Sequence, residues 1–178
     1  MKGFLKSFVT ISALSSLVVA PILFGAGQAS AETQKGTDAI YLGAGAAAGV
    51  TNGGQTGDAA TFGGNLTGRV PLGKTGFSGR TQINFSDQTS AIIPHLTYDI
   101  PVAKGTNVYV GGGYQFVEKK GSPTPSGNDN GVAAVIGVEK ELGRNVLIYS
   151  NATTAINGYK NSPASAVSIN AGLGFRIR

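Results

Sequence analysis

The sequence predicts an all-β fold: an eight-stranded antiparallel up-and-down β-barrel that crosses a membrane with its strands. Three observations lead there. Segments of about ten residues alternate apolar and polar side chains with period two, the spacing that sends one set to each face of a sheet. The chain has no cysteine and only 13% charged residues, roughly half of what a soluble surface carries. It also opens with a secretory leader.

That leader comes first. Lys2 and Lys6 form a basic start, Phe8 to Phe24 is an apolar run, and Ala29-Ser30-Ala31 is a small-x-small cleavage site. Residues 1–31 are therefore predicted to be a signal peptide, leaving a mature domain of residues 32–178. The mature domain holds 12 Lys and Arg against 9 Asp and Glu. No basic run exceeds Lys119-Lys120, so nucleic acid is not an expected partner.

Eight strand-like segments follow, at 38–50, 59–71, 77–86, 91–102, 107–118, 131–142, 146–156 and 164–177. An even count lets an up-and-down sheet close on itself. The connections at 72–76, 103–107 and 143–145 are tight and each carries Gly and a basic residue. Those at 51–58, 86–90, 118–130 and 157–163 are polar and mostly longer. Short turns on one rim and longer loops on the other are the habit of an outer-membrane barrel.

The faces then have to be assigned. "FSGRTQINF" (77–85) places Phe77, Ile83 and Phe85 on one face and Arg80, Gln82 and Asn84 on the other. The polar faces of the second, fourth and eighth segments carry mostly small or uncharged residues, such as Asn65, Thr67, Thr97, Ser168 and Asn170. A water-exposed face would scatter Lys and Glu along its strands. The apolar faces are interrupted by Gly64, Gly68 and Gly112, which lipid accepts and a tightly packed core would not. The polar face is therefore expected to point inward.

The charges on that inward face are Arg69, Arg80, Asp99, Glu139, Glu141 and Arg176. All fall near the short-turn rim, where three cations and three anions would neutralise one another as a plug, joined by Tyr109. His95 is expected to point into the same interior and to join that network. The outward aromatics segregate into two lipid-facing belts, with Phe62, Phe85, Tyr114 and Phe116 toward the long loops and Phe77, Tyr98 and Phe175 toward the short turns. Aromatic rings favour both membrane interfaces. The seventh segment, "VLIYSNATTA", leaves its register open, because Val146 and Ile148 compete with Leu147 and Tyr149 for the apolar face.

This pattern resembles the small eight-stranded outer-membrane β-barrels, such as the transmembrane domain of outer membrane protein A. The resemblance covers 32–178 and includes the closing strand "AVSINAGLGFRIR", where Val167, Ile169, Ala171, Leu173, Phe175 and Ile177 alternate. In that family the last strand is read by the outer-membrane insertion machinery and usually ends on an aromatic. Here Ile177-Arg178 stand there, so the insertion signal is matched only in part. The family's periplasmic wall-binding domain is not expected, so a cell-wall tether does not carry over. The resemblance implies a location in the bacterial outer membrane, outer-membrane lipids and the insertion machinery as partners, and no cofactor. It implies a structural or surface-interaction role without enzymatic activity; a narrow ion leak would require the charge network to open.

Two other readings compete. Some barrels of this kind deacylate lipid A with a His followed two positions later by Ser; here Thr97 follows His95, and a base acting on a bilayer lipid should face outward. A soluble lipocalin-like or avidin-like barrel would hold a ligand in an apolar interior. "GRVPLGKT" (68–75) matches a phosphate-loop pattern, but a strand follows where a helix is needed, so a hairpin turn is expected. One His and no Cys leave no metal-ligand spacing. "GSPTPSG" (121–127) is expected to be a flexible loop.

Overall fold

The computed structural model describes residues 36–55 and 61–177. The expected signal peptide lies outside the described residues. Eight strands follow in chain order: β1 (Tyr41–Gly49), β2 (Phe62–Pro71), β3 (Phe77–Phe85), β4 (Ser90–Ala103), β5 (Thr106–Val117), β6 (Gly131–Glu141), β7 (Val146–Ala155) and β8 (Ala166–Arg176). Each pairs antiparallel with the next, and β8 returns to β1 from Tyr41↔Arg176 to Gly49↔Ser168. The sheet is thus a closed barrel without an edge strand.

The short turns are built as the sequence suggests. Between β2 and β3, Leu72 N donates to Phe77 O (2.8 Å) and Thr75 Oγ1 to Leu72 O (2.7 Å). The phosphate-loop look-alike is therefore a hairpin. Lys104 and Gly105 alone connect β4 to β5, where Gly105 takes φ +65°, a region that favours glycine.

Alternation decides the faces. Phe62 is 74% exposed on the outer wall, whereas Arg80 and Gln82 are 4% and 1% exposed inside. Leu42, Leu66, Val70, Ile92, Leu96 and Leu173 join Phe62 outside. A soluble monomer rarely exposes a contiguous apolar surface of more than a few hundred Å². The lumen is filled by Asn65, Thr67, Asn84, Thr97, Asn151, Ser168 and Asn170, among others. A soluble ligand-binding barrel with an apolar interior is therefore not the architecture.

β7 settles the register that the sequence left open. Leu147 and Tyr149 point inward and pack with Ala39 and Tyr41, while Val146 and Ile148 face out. The tyrosines fit because glycines face them. A Cβ at Gly43 would lie 2.7 Å from the Tyr149 ring, and one at Gly137 would lie 2.4 Å from Tyr109 Cζ. The inward glycines thus make room for rings that occupy the lumen.

Candidate functional site

The lumen is obstructed in three layers, and each follows from which strand residues point inward. The first lies near the short-turn rim. Arg69 and Arg80 sit directly opposite each other on β2 and β3, an arrangement that repels when left alone. Two carboxylates, one from the neighbouring strand β4 and one from β6, bridge them. Asp99 Oδ2 meets Arg69 Nη2 (2.8 Å) and Asp99 Oδ1 meets Arg80 Nη2 (2.9 Å). Glu139, on the far wall, lies 3.4 Å from Arg69 Nη1 and 2.9 Å from Arg80 Nη1. The square is neutral, and its side chains are nearly inaccessible.

Buried charges are tolerated when their remaining hydrogen-bonding capacity is also satisfied. Here Ser78 Oγ donates to Asp99 and accepts from Arg69 Nε (3.1 Å). Thr97 Oγ1 accepts from Arg80 Nε (2.9 Å) and donates to Asp99 Oδ1 (3.2 Å). Tyr41 OH donates to Glu139 Oε2 (3.0 Å), and Asn107 Nδ2 donates to Glu139 Oε1 (3.0 Å). The Arg80 guanidinium lies 3.8 Å from the centre of the Tyr109 ring, within cation–π reach.

A strap completes this layer. Residues 36–39, ahead of β1, run into the mouth of the barrel. Arg69 Nη1 donates to Ala39 O (3.0 Å) and Nη2 to Thr37 O (3.2 Å), while Asn107 Nδ2 also donates to Thr37 O (2.8 Å). Thr37 Oγ1 donates to Glu141 Oε1 (2.5 Å).

The charges expected in one plug divide into two groups. Arg69, Arg80, Asp99 and Glu139 form the square. Glu141 and Arg176 pair with each other at the rim (2.5 Å), where Arg176 also reaches Asp38 (3.1 Å). They sit one alternation step closer to the strand ends, and the strap lies over the mouth beside them. His95 is buried but outside the network; its Nδ1 bonds to the Ile93 carbonyl (2.8 Å) rather than to a serine or carboxylate. Ser78 and Thr97, which alternation puts on the polar faces expected to point inward, complete the cluster together with Thr37, Tyr41 and Asn107, which the sequence reading did not single out.

The middle layer carries no charge. Tyr149 OH donates to Asn65 Oδ1 (2.7 Å), and Asn65 Nδ2 to Asn84 Oδ1 (2.7 Å). Gln82 Nε2 donates to Thr153 Oγ1 (3.3 Å), and Asn170 Nδ2 to Asn151 Oδ1 (2.8 Å). Satisfaction is incomplete: Gln82 Oε1 and Asn170 Oδ1 here, Gln115 Oε1 beneath the loop and Asn107 Oδ1 in the first layer have no protein donor.

The third layer is the 118–130 loop. It is folded into the long-loop mouth rather than loose, a correction to the expectation for 121–127. Thr124, Ser126 and Asn128 are buried. Asn84 Nδ2 donates to Ser126 Oγ (2.6 Å), Gln115 Nε2 to Ser126 O (2.9 Å) and Ser86 Oγ to Pro123 O (2.8 Å). Asn128 joins the loop to its neighbours, donating through Nδ2 to Gln55 Oε1 (2.8 Å) and accepting at Oδ1 from Lys160 N (2.8 Å). Lys120, 2.9 Å from Asp129, holds that carboxyl below its ordinary value. Burial raises the Tyr159 phenol, which bonds to Thr51.

On the outer wall, Phe62, Phe85, Tyr114 and Phe116 lie toward the long loops, and Phe77, Tyr98 and Phe175 toward the short turns; all are exposed. Tyr114 packs against Phe116 (4.9 Å between ring centres) and Phe77 against Tyr98 (5.1 Å).

Fold and lumen together define a class: closed eight-stranded barrels with an apolar wall and a filled polar interior. No family model and no curated protein matches the chain. Among solved structures it resembles Ail, the attachment invasion locus protein of Yersinia pestis, at 14% identity over 79% of this chain and 100% of that one, with a TM-score of 0.52. It also resembles Neisserial surface protein A, at 16% identity over 78% and 97%, with a TM-score of 0.54. The N-terminal β-barrel domain of Pseudomonas aeruginosa OprF matches at 14% identity over 80% and 100%, with a TM-score of 0.50. The chain has the fold of the small eight-stranded outer-membrane barrels.

Proposed function

We propose that this protein is a non-enzymatic barrel of the bacterial outer membrane, closed to solutes, that serves a structural role and presents its long loops at the cell surface. One observation carries the reading: the wall is apolar all round while the lumen is blocked from rim to rim. Strands of 9 to 14 residues suit a tilted crossing of the hydrocarbon layer. The short-turn rim then lies in the periplasm and the 118–130 loop outside. Outer-membrane lipids surround the wall, and the insertion machinery handles the chain during biogenesis. The lipid A hydrolase reading loses support, because His95 faces the lumen and has no nucleophile or carboxylate as its hydrogen-bond partner.

The test is fractionation followed by a heat-shift gel and planar-bilayer recording. The protein should be recovered with outer membranes, migrate differently before and after boiling, and pass no steady current. Soluble periplasmic monomer would overturn the location. A stable open conductance would overturn the closed lumen. Lipid A shortened by one acyl chain on expression, and restored by His95→Ala, would replace the structural role with an enzymatic one.

A further inference from the structure

The positive charge of the protein is distributed unevenly. The luminal square is balanced, two cations against two anions. Among the described residues the long-loop side is balanced too, with Lys119, Lys120 and Lys160 against Asp87, Glu118 and Asp129. The short-turn rim carries Lys74, Lys104, Lys140, Arg144 and Arg176 against Asp38 and Glu141. Arg176 is engaged by both of those carboxylates. The other four cations of the rim are in no ion pair among the described residues.

Two of these cations frame a recess. The turn at 104–105 and the one at 142–145 bound a cavity of about 640 Å³, lined by Lys104, Arg144 and Arg176, with Glu141 and Leu142 beside them. Glu141 is already neutralised by Arg176 (2.5 Å) and accepts from Thr37, so the recess presents a cationic surplus. Leu142 is exposed at its lip. Directly above, the outer wall offers Val146 paired with Phe175 and Ile148 paired with Leu173. The exposed ring of Phe175 marks this depth as interfacial.

We propose that this recess holds the headgroup of an anionic phospholipid of the periplasmic leaflet, whose acyl chains lie along the β7–β8 wall. The inference rests on the membrane orientation given above. A ligand that is anionic at one end and apolar along its length matches a cationic recess whose lip, the exposed Leu142, is bonded through its backbone to Val146 (2.9 Å) at the foot of the apolar wall. A free anion would use only the first feature. Lys and Arg near an anionic lipid surface are attracted to it, and the attraction weakens with salt.

The experiment reconstitutes the mature protein in phosphatidylcholine vesicles and measures, by spin-label EPR, how strongly labelled phosphatidylglycerol and labelled phosphatidylcholine associate with the barrel. Phosphatidylglycerol should be preferred several-fold. The double variant Lys104→Gln/Arg144→Gln should lose most of that preference. Both side chains are exposed and take no part in the luminal network, so the heat shift should persist. Lys119→Gln, on the opposite rim, should leave the preference intact. Equal association of the two lipids, or a preference unchanged in the double variant, overturns the proposal. Full displacement by millimolar inorganic phosphate also overturns it, assigning the recess to a free anion. A barrel that inserts and heat-shifts but shows no preference removes this inference alone; failure to insert removes the membrane reading as well.

Discussion

The two halves of the lumen are filled by different chemistry. The short-turn half is ionic: Arg69, Arg80, Asp99 and Glu139 hold one another, and a backbone strap covers them. The long-loop half is neutral: amides, hydroxyls and a folded loop share hydrogen bonds, and unpaired side-chain oxygens occur in both halves, Asn107 Oδ1 in the ionic one and Gln82 Oε1, Gln115 Oε1 and Asn170 Oδ1 in the neutral one. The difference teaches how each closure fails. Ionic closure is all-or-none, because removing one partner strands a buried charge. Neutral closure is divisible, because each amide contributes only about 0.5–1.5 kcal/mol.

The sharpest test sets one substitution from each half side by side. Glu139→Leu leaves two guanidiniums facing a single carboxylate in a dry interior and should destabilise the barrel by about 3–5 kcal/mol. Gln82→Leu removes one long hydrogen bond, 3.3 Å to Thr153, together with an unpaired oxygen, and should change stability by no more than about 1.5 kcal/mol. Urea titration of the folded, fast-migrating band in lipid vesicles reads both. Equal losses would mean that the two halves are held in the same way.

How much of this was legible in the sequence depends on whether side-chain periodicity carries the information. Alternation put Arg69, Arg80, Asp99 and Glu139 on one face, and their distances from the turns put them at one depth. It could not separate Glu141 and Arg176 from the square, because a rim position and a luminal one differ by a single alternation step. Strand β7 was ambiguous because both of its faces are apolar; its register follows from the space left by Gly43 and Gly174 on β1 and β8, a non-local fact. The strap at 36–39 was invisible for another reason. Its key acceptors are the backbone carbonyls of Thr37 and Ala39, which every sequence has. The 118–130 loop has the composition of a flexible segment, yet the small polar residues that favour turns also serve as buried hydrogen-bonding groups when a polar lumen lies beneath them.

The strap offers a smaller and more selective break on the ionic side. A Cβ at Gly36 would fall 1.7 Å from Asn107 Oδ1, so Gly36→Val must move the strap, Asn107 or both. The square itself would be left in place. Loss of the hydrogen bonds to Thr37 and Ala39 should lower stability by about 1–3 kcal/mol, less than removal of Glu139. Thr37→Cys, at a position whose native side chain is buried, should react faster with a bulky maleimide once Gly36→Val displaces the strap, whereas Asp38→Cys, at a position already exposed, should react at the same rate with or without it. Unchanged labelling at position 37 would show that the strap tolerates the bulk and does not cover the mouth tightly.

The smallest expected effect lies at the opposite end, in the pair between Lys120 and Asp129. Its folded carboxyl titrates below the ordinary 3.8, chiefly because Lys120 bonds to the charged form. A depressed acid stabilises the loop only while ionised. Its contribution is therefore complete above the unfolded value and disappears as pH falls through the lower folded one. The pair is exposed on the Lys120 side, so water and salt screen it and its share is slight. The neutral bonds of Ser126 and Asn128 do not titrate in this range, so they should keep the loop seated when the pair is lost. Hydrogen exchange of the 118–130 amides, corrected for intrinsic rates, should thus be flat from neutral pH to about 5 and rise only modestly below about 4. Asp129→Asn should remove even that rise. A collapse of protection near pH 4 would mean that charge, not neutral hydrogen bonding, seats the loop, and the contrast between the two ends of the lumen would no longer hold.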